Sequence, residues 1–192
     1  MLMPSGQHPN QKRVLIVDDH PITRLGLAYL ISRQPDLEVC EEADNASKAL
    51  AAVNARKPDL VLVDIALSDK SGLELIKDIT ALRPGLPILV ISMQDEVVYA
   101  ERALRAGARG YITKRAGSQK LMQAIRRVAS GNIYLSERMS GQILEGFSGG
   151  HPARARSPIQ QFSDREFALE RHLGSLRSAG GTGQFQSLAH AR

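Results

Sequence analysis

Three short runs of branched apolar residues, Val14–Val17 (VLIV), Leu60–Val63 (LVLV) and Ile88–Ile91 (ILVI), constrain this chain more than any other feature. Each is apolar at every position rather than at every second one, so a strand made from it must be buried on both faces. That is the condition of a parallel sheet with helices on both sides. Two further runs, Leu37–Ala43 and Gly110–Ile112, have strand composition. The first of them, LEVCEEA, alternates and carries three glutamates, which suits a sheet edge better than its centre.

Between the runs the period changes from strand to helix. Ala46, Ala49, Leu50 and Val53 fall at i, i+3, i+4 and i+7, as do Leu121, Ala124, Ile125 and Val128, and each set makes one apolar stripe. The segments Pro21–Ser32, Ser71–Leu82 and Val97–Ala106 are compatible with helices, with Pro21 suited to a first helical position and Gly107 to a stop. Strand and helix therefore alternate over residues 13–131, which predicts an α/β fold with a doubly wound, five-stranded parallel sheet. Such sheets bind ligands outside the carboxyl ends of their strands, so chemistry is sought first in the residues just after each run.

A chain of 192 residues, 43% hydrophobic and 23% charged, can bury the core of one such domain. No stretch approaches the roughly 20 apolar residues of a membrane span, and MLMPSGQHPNQKR lacks the apolar run of a signal peptide. The single cysteine, Cys40, excludes an internal disulfide and a thiolate metal cluster, and is read as a small buried apolar residue in a cytoplasmic protein. The net charge of +5 points only weakly to acidic partners.

At the carboxyl ends of the runs stand Asp18 and Asp19, then Asp64, then Ser92, and just beyond the last run Lys114. Parallel strands bring all of them to one rim. Three carboxylates there repel one another unless a cation intervenes, and Mg2+, hard and oxygen-seeking, is the natural one. Taken singly, each residue has an ordinary structural reading: a strand end is where polar residues begin, and Asp19 could simply cap the next helix. Taken together, acid pair, acid, hydroxyl and lysine make the parts list for phosphoryl transfer to a carboxylate.

In its residues VLIVDDHPITRLGL, PDLVLVDIALSDKSGLELI, ILVISMQDEVVYAERALRAGARGYITK and LMQAIRRVASGNIYLS, the chain resembles the response-regulator receiver domains of two-component signalling, of the NarL/FixJ type. The resemblance covers about residues 13–136 and implies a flavodoxin-like fold. It implies that Asp64 accepts a phosphoryl group from a sensor histidine kinase, that Asp18, Asp19, Asp64 and the backbone carbonyl of Ala66 hold Mg2+, and that Lys114 and Ser92 contact the phosphoryl oxygens. Tyr111 is similar to the family's switch aromatic, expected to enter the space that Ser92 vacates on phosphorylation. The frequent Met-Pro pair after the acceptor is here Leu67-Ser68, and Met93 follows Ser92 where smaller residues are common. Both bear on loop rigidity and phosphoryl lifetime.

The resemblance implies a non-enzymatic switch that regulates transcription. A metal-dependent phosphatase of the same architecture would want a second aspartate two residues after its nucleophile, where Ala66 stands, and a nucleotide binder would want a glycine-rich loop where VDDHP stands. Arg102, Arg105, Arg109, Lys114, Arg115, Lys120, Arg126 and Arg127 face only Glu101 within residues 101–130. This basic face, from fourth to fifth helix, is expected to serve docking or homodimerisation.

Residues 1–12 are expected to form a flexible tail. Residues 132–161 are expected to form a linker helix, capped by Ser136 with Met139, Ile143, Leu144 and Phe147 inward, and a Gly/Pro/Arg linker. In residues 162–192, SDRE at Ser163–Glu166 is similar to the opening of a LuxR-type DNA-binding domain, but GSLRSAGGTGQFQSLAHAR supplies no helix-turn-helix pattern. That segment is expected to be a largely disordered remnant that reads no DNA sequence, which leaves protein contacts, or a role as phosphate sink, as the alternative output.

Overall fold

A computed structural model describes residues 11–141 of the chain. Ten elements alternate strictly: β1 (Lys12–Val17), α1 (Pro21–Ser32), β2 (Leu37–Ala43), α2 (Ala46–Arg56), β3 (Leu60–Val63), α3 (Gly72–Leu82), β4 (Ile88–Ser92), α4 (Glu96–Ala106), β5 (Gly110–Thr113) and α5 (Ser118–Ala129). All strand pairs are parallel, in the order β2-β1-β3-β4-β5. The chain first steps outward from β1 to β2, then crosses back over β1 to β3 and continues in that direction. With right-handed crossovers this reversal puts α1 on one face of the sheet and α2, α3 and α4 on the other, while α5 returns to the side of α1.

The core divides accordingly. Alternate strand residues Leu15, Val17, Val61, Val63, Ile88, Val90 and Tyr111 pack against α2, α3 and α4. Val14, Ile16, Leu60, Leu62, Leu89, Ile91 and Ile112 pack against α1 and α5. Every residue of the VLIV, LVLV and ILVI runs is therefore buried, as their continuous apolarity requires. The expected α2 and α5 stripes face inward, except that Leu50 is only partly buried at the margin of the first cluster.

The alternating second run does form the edge strand. Its register shifts between Val14 and Leu15, which pair with Val39 and Glu41 and leave Cys40 as an extra residue. Cys40 is half-buried at this bulge rather than fully interior, and partial burial pushes its thiol up from the ordinary value. Helix ends follow their local chemistry: Pro21 opens α1, Asn45 accepts a hydrogen bond from Lys48 N, Asp95 caps α4, and Gly107 ends α4 at φ 114°. After α5, Tyr134 bridges to Gly110, and Ser136 Oγ accepts from Met139 N as residues 137–141 turn helical with Met139 buried. Of the expected tail at 1–12, Lys12 instead begins β1, where it pairs with Leu37, and residues 1–10 lie outside the described residues, as do the inward positions Ile143, Leu144 and Phe147 and the remnant at 162–192. Among the described residues no helix is long and apolar enough to cross a membrane.

Candidate functional site

The switch from β1–β2 to β3–β4–β5 opens a crevice at the carboxyl ends of β1 and β3, and the expected residues converge on it. Asp18 follows β1, Asp64 follows β3, Ser92 ends β4 and Lys114 follows β5. Asp18, Asp64 and Ser92 are 1%, 3% and 1% exposed, the buried polar side chains among the described residues. Burying two carboxylates side by side is costly unless a cation compensates them. Lys114 does so: its Nζ lies 2.7 Å from Asp18 Oδ2 and 2.6 Å from Asp64 Oδ2. Burial pulls the Lys114 ammonium toward neutrality, but the two carboxylates outweigh it and hold its pKa above the ordinary lysine value.

Backbone geometry holds these groups in place. Lys114 N donates to Ser92 O (2.8 Å), and Asp64 N donates to Val17 O (2.9 Å), so the ends of neighbouring strands are locked. Asp18 Oδ1 accepts from His20 N (2.9 Å), while Arg24 reaches back from α1 to Asp18 O (2.6 Å). Asp64 Oδ1 accepts from Ala66 N (3.3 Å), which places the exposed Ala66 directly beside the carboxylate. Ser92 Oγ accepts from Gln94 N (3.3 Å).

Asp19 does not cap α1; that position belongs to His20, which makes no side-chain cap bond. Asp19 Oδ1 lies 2.7 Å from His20 Nδ1 but completes no hydrogen bond, so a buried carboxylate oxygen keeps its lone pairs uncommitted. One donor atom each of Asp18, Asp19, His20 and Asp64 lies within 4.8 Å of the others. A buried acceptor without a donor, in a set dominated by carboxylate oxygens, fits a hard divalent cation such as Mg2+.

Tyr111, the candidate switch aromatic, points into the fold. Its ring is wholly buried against the α4 side of the sheet and its hydroxyl donates to Gln94 O (3.0 Å). Burial drives the phenol pKa well upward, only partly offset by its contact with Ser92. Lys114 is likewise turned inward, so it does not belong to the basic surface. Much of that surface is also paired: Arg105 with Glu101 (2.5 Å), Arg126 with Asp36 (2.8 Å), and Arg109 and Arg127 with the carbonyls of Gly131 and Ile133. Arg102 stacks on Tyr99, its guanidinium carbon 5.4 Å from the ring centroid.

Three contributors escaped the sequence reading. His20 joins the carboxylate cluster, which the motif VDDHP could have suggested. Asp69 accepts from Ala46 N (3.0 Å), tying the loop after Asp64 to the start of α2, while Leu67 packs on the core. These contacts brace the loop where a Met-Pro pair is absent. Gly72 is obligatory: a Cβ there would stand 2.2 Å from Asp64 O and 2.7 Å from Ile65 Cα. Its amide donates to Ile65 O (2.9 Å), seating α3 on the acceptor's own backbone.

Residues 14–126 match the family of the response regulator receiver domain. The response regulator GacA of Pseudomonas aeruginosa is 33% identical over 158 residues, covering 82% of this chain and 72% of GacA. The transcriptional regulatory protein UhpA of Salmonella typhimurium is 37% identical over 161 residues, 82% of this chain and 81% of UhpA. Among solved structures, a LuxR-family two-component response regulator from Aurantimonas is similar with a TM-score of 0.67 and 34% identity, over 71% of this chain and 98% of that one. The stretch that folds into the five-stranded sheet is the stretch these relatives share, and the chain belongs to the response regulator receiver family, among regulators of the NarL/FixJ type.

Proposed function

We propose that this receiver works as a phosphorylation-controlled switch in which Asp64 takes a phosphoryl group from a phosphohistidine of a sensor histidine kinase. A carboxylate oxygen of Asp64 attacks phosphorus in line, the new O–P bond forms as the P–N bond breaks, and the imidazole leaves with the electron pair. The observation that carries this reading is the partly buried Lys114 ammonium held on both Asp18 and Asp64, at 2.7 and 2.6 Å. It is a fixed positive charge beside the nucleophile, placed to exchange a carboxylate for phosphoryl oxygens as they arrive. Ser92, at the end of the adjoining strand, offers a hydroxyl to the same oxygens.

Asp18, Asp19, Asp64 and the Ala66 carbonyl would hold Mg2+, which when bound neutralises charge on the transferred group. A phosphoryl group on Asp64 competes for Lys114 and Ser92, and Ser92 lies against the buried Tyr111 hydroxyl. Phosphorylation in this reading stabilises the inward Tyr111 rather than creating it, biasing an equilibrium already populated. The output surface runs from α4 to α5 and serves transcription control, as the relatives' names state for them, with homodimerisation or docking through its remaining basic groups. The domain plan follows the same reading: a receiver over 13–131, a linker over 132–161 and a segment related to a LuxR-type domain over 162–192.

Incubation with acetyl phosphate and Mg2+ tests the acceptor. One phosphoryl group is expected on the wild type and none on Asp64→Asn; full labelling of the variant would refute the assignment.

A further inference from the structure

Beyond α5 the chain turns back over the outer edge of β5. Gly131, at φ 85°, reverses it: Gly131 N donates to Val128 O (2.9 Å) and Asn132 N to Arg127 O (3.1 Å). Tyr134 then pairs with the edge, its amide donating to Arg109 O (3.0 Å) and its carbonyl accepting from Tyr111 N (3.2 Å). Gly110 makes room for this pairing, since a Cβ there would stand 2.9 Å from Tyr134 O. Arg109 and Arg127 hold the carbonyls of Gly131 and Ile133, at 2.7 and 2.8 Å. Residues 131–141 thus form a strap that is anchored through its backbone.

The side chains of the strap straddle the sheet. Tyr134 packs on the cluster of α1 and α5, while Leu135 and the buried Met139 join the cluster that holds Tyr111, Ala100 and Ala103. Glu96, in the first turn of α4, accepts from Ser136 N (3.1 Å). A run of hydrogen bonds connects the site to this strap. Ser92 Oγ accepts from Gln94 N (3.3 Å), which leaves the hydroxyl proton for another acceptor. Gln94 O accepts from the Tyr111 hydroxyl (3.0 Å), and Tyr111 N reaches Tyr134 O. Lifting the strap breaks its bonds to Tyr111 and Glu96 and uncovers the cluster in which the Tyr111 ring sits.

We infer that residues 131–141 act as a clasp whose docking is coupled to the inward Tyr111, so that a phosphoryl group on Asp64 tightens the hold on the chain that leads out of the domain. This inference rests on the phosphorylation reading given above. A phosphoryl oxygen that takes the Ser92 proton orders the turn at Gln94 against the Tyr111 hydroxyl, and the ordered ring favours the docked Leu135 and Met139. Glu96 is a positioning residue in this scheme, tying α4 to the strap.

Trypsin cleavage of the full chain after Arg138 tests it. Arg138 is exposed, but Met139 is buried and residues 137–141 are helical, so the bond between them suits a protease only when the strap lifts. Beryllium fluoride with Mg2+ should slow this cleavage by about fivefold or more in the wild type and leave it unchanged in Asp64→Asn. Met139→Ala should speed cleavage without the mimic. Because coupling is reciprocal, it should also weaken beryllium fluoride binding, read by fluorine NMR, by about two- to fivefold. A strap with only a structural role would loosen in Met139→Ala while beryllium fluoride affinity stayed the same, and that result would overturn the clasp. If the mimic binds the wild type and cleavage after Arg138 is unchanged or faster, the clasp is overturned and the acceptor reading of Asp64 stands. If the mimic does not bind and acetyl phosphate leaves Asp64 unlabelled, both fall.

Discussion

The helices α1 and α5 on one face of the sheet and α4 on the other are built from different materials. On one face α1 and α5 press long side chains onto the strands: Leu27 and Ile31, then Leu121, Met122, Ile125 and Val128. On the other, α3 presses Leu75, Ile76 and Ile79 onto the strands and α2 adds Val53 to Ala46, Ala49 and Ala52, whereas α4 is fully buried only through Ala100, Ala103 and Ala106. Burying a leucine or isoleucine contributes about 1.5–3 kcal/mol, whereas an alanine methyl contributes about 0.8 kcal/mol. Helix α4 is therefore more weakly held than α3 beside it or α1 and α5 on the opposite face. In the proposed switch a signal generated at Asp64 would meet less resistance through α4, whose fully buried contacts are alanine methyls.

The contrast is sharpened by a matched pair of substitutions followed by urea unfolding. Ile125→Ala, in the stiff face, should cost about 2–5 kcal/mol. Ala103→Gly should cost about 1 kcal/mol, mostly from lost helix propensity. Equal costs would mean that α4 is anchored by something other than its alanines. Between these two lies Gly72→Ala. The added Cβ meets the backbone of Asp64 and Ile65, so a loss of about 1–3 kcal/mol is expected, with slower phosphorylation by acetyl phosphate because the acceptor loop must move.

The smallest effect belongs to the stiff face's outer rim, where Arg126 of α5 reaches Asp36 before β2. Its hydrogen bonds to Arg126 hold the Asp36 carboxyl below its ordinary range. A depressed folded-state pKa contributes stability that is present above the unfolded pKa and lost as pH falls through the folded value. Both groups are half-exposed, so Arg126→Ala should remove less than about 1 kcal/mol near neutrality, with the difference shrinking in acid and in high salt.

The strands were legible because burial on both faces leaves a mark at every position, and β3 ran over the residues expected, Leu60–Val63. β1, β4 and β5 extended past the apolar runs into Lys12, Ser92 and Thr113, since backbone pairing continues where hydrophobicity stops. The rim residues Asp18, Asp64, Ser92 and Lys114 were legible from strand ends alone, because parallel strands align their termini. What stayed hidden depends on contacts between distant segments. The bulge at Cys40 comes from pairing with β1, the Asp69 bond to Ala46 joins two loops, and Arg126 meets Asp36 across 90 residues. Lys114 shows the same limit: in a charge count it joined the basic surface, whereas in the fold two buried carboxylates draw it inward.

The most direct test of a signal routed through the α4 face is hydrogen exchange of the full chain with and without beryllium fluoride and Mg2+, with Asp64→Asn as the control. Protection should change in residues 92–106 and around Tyr111, stay constant in α1 and α5, and be unaffected by beryllium fluoride in Asp64→Asn. Equal changes on both faces of the sheet, or the same response in Asp64→Asn, would contradict it.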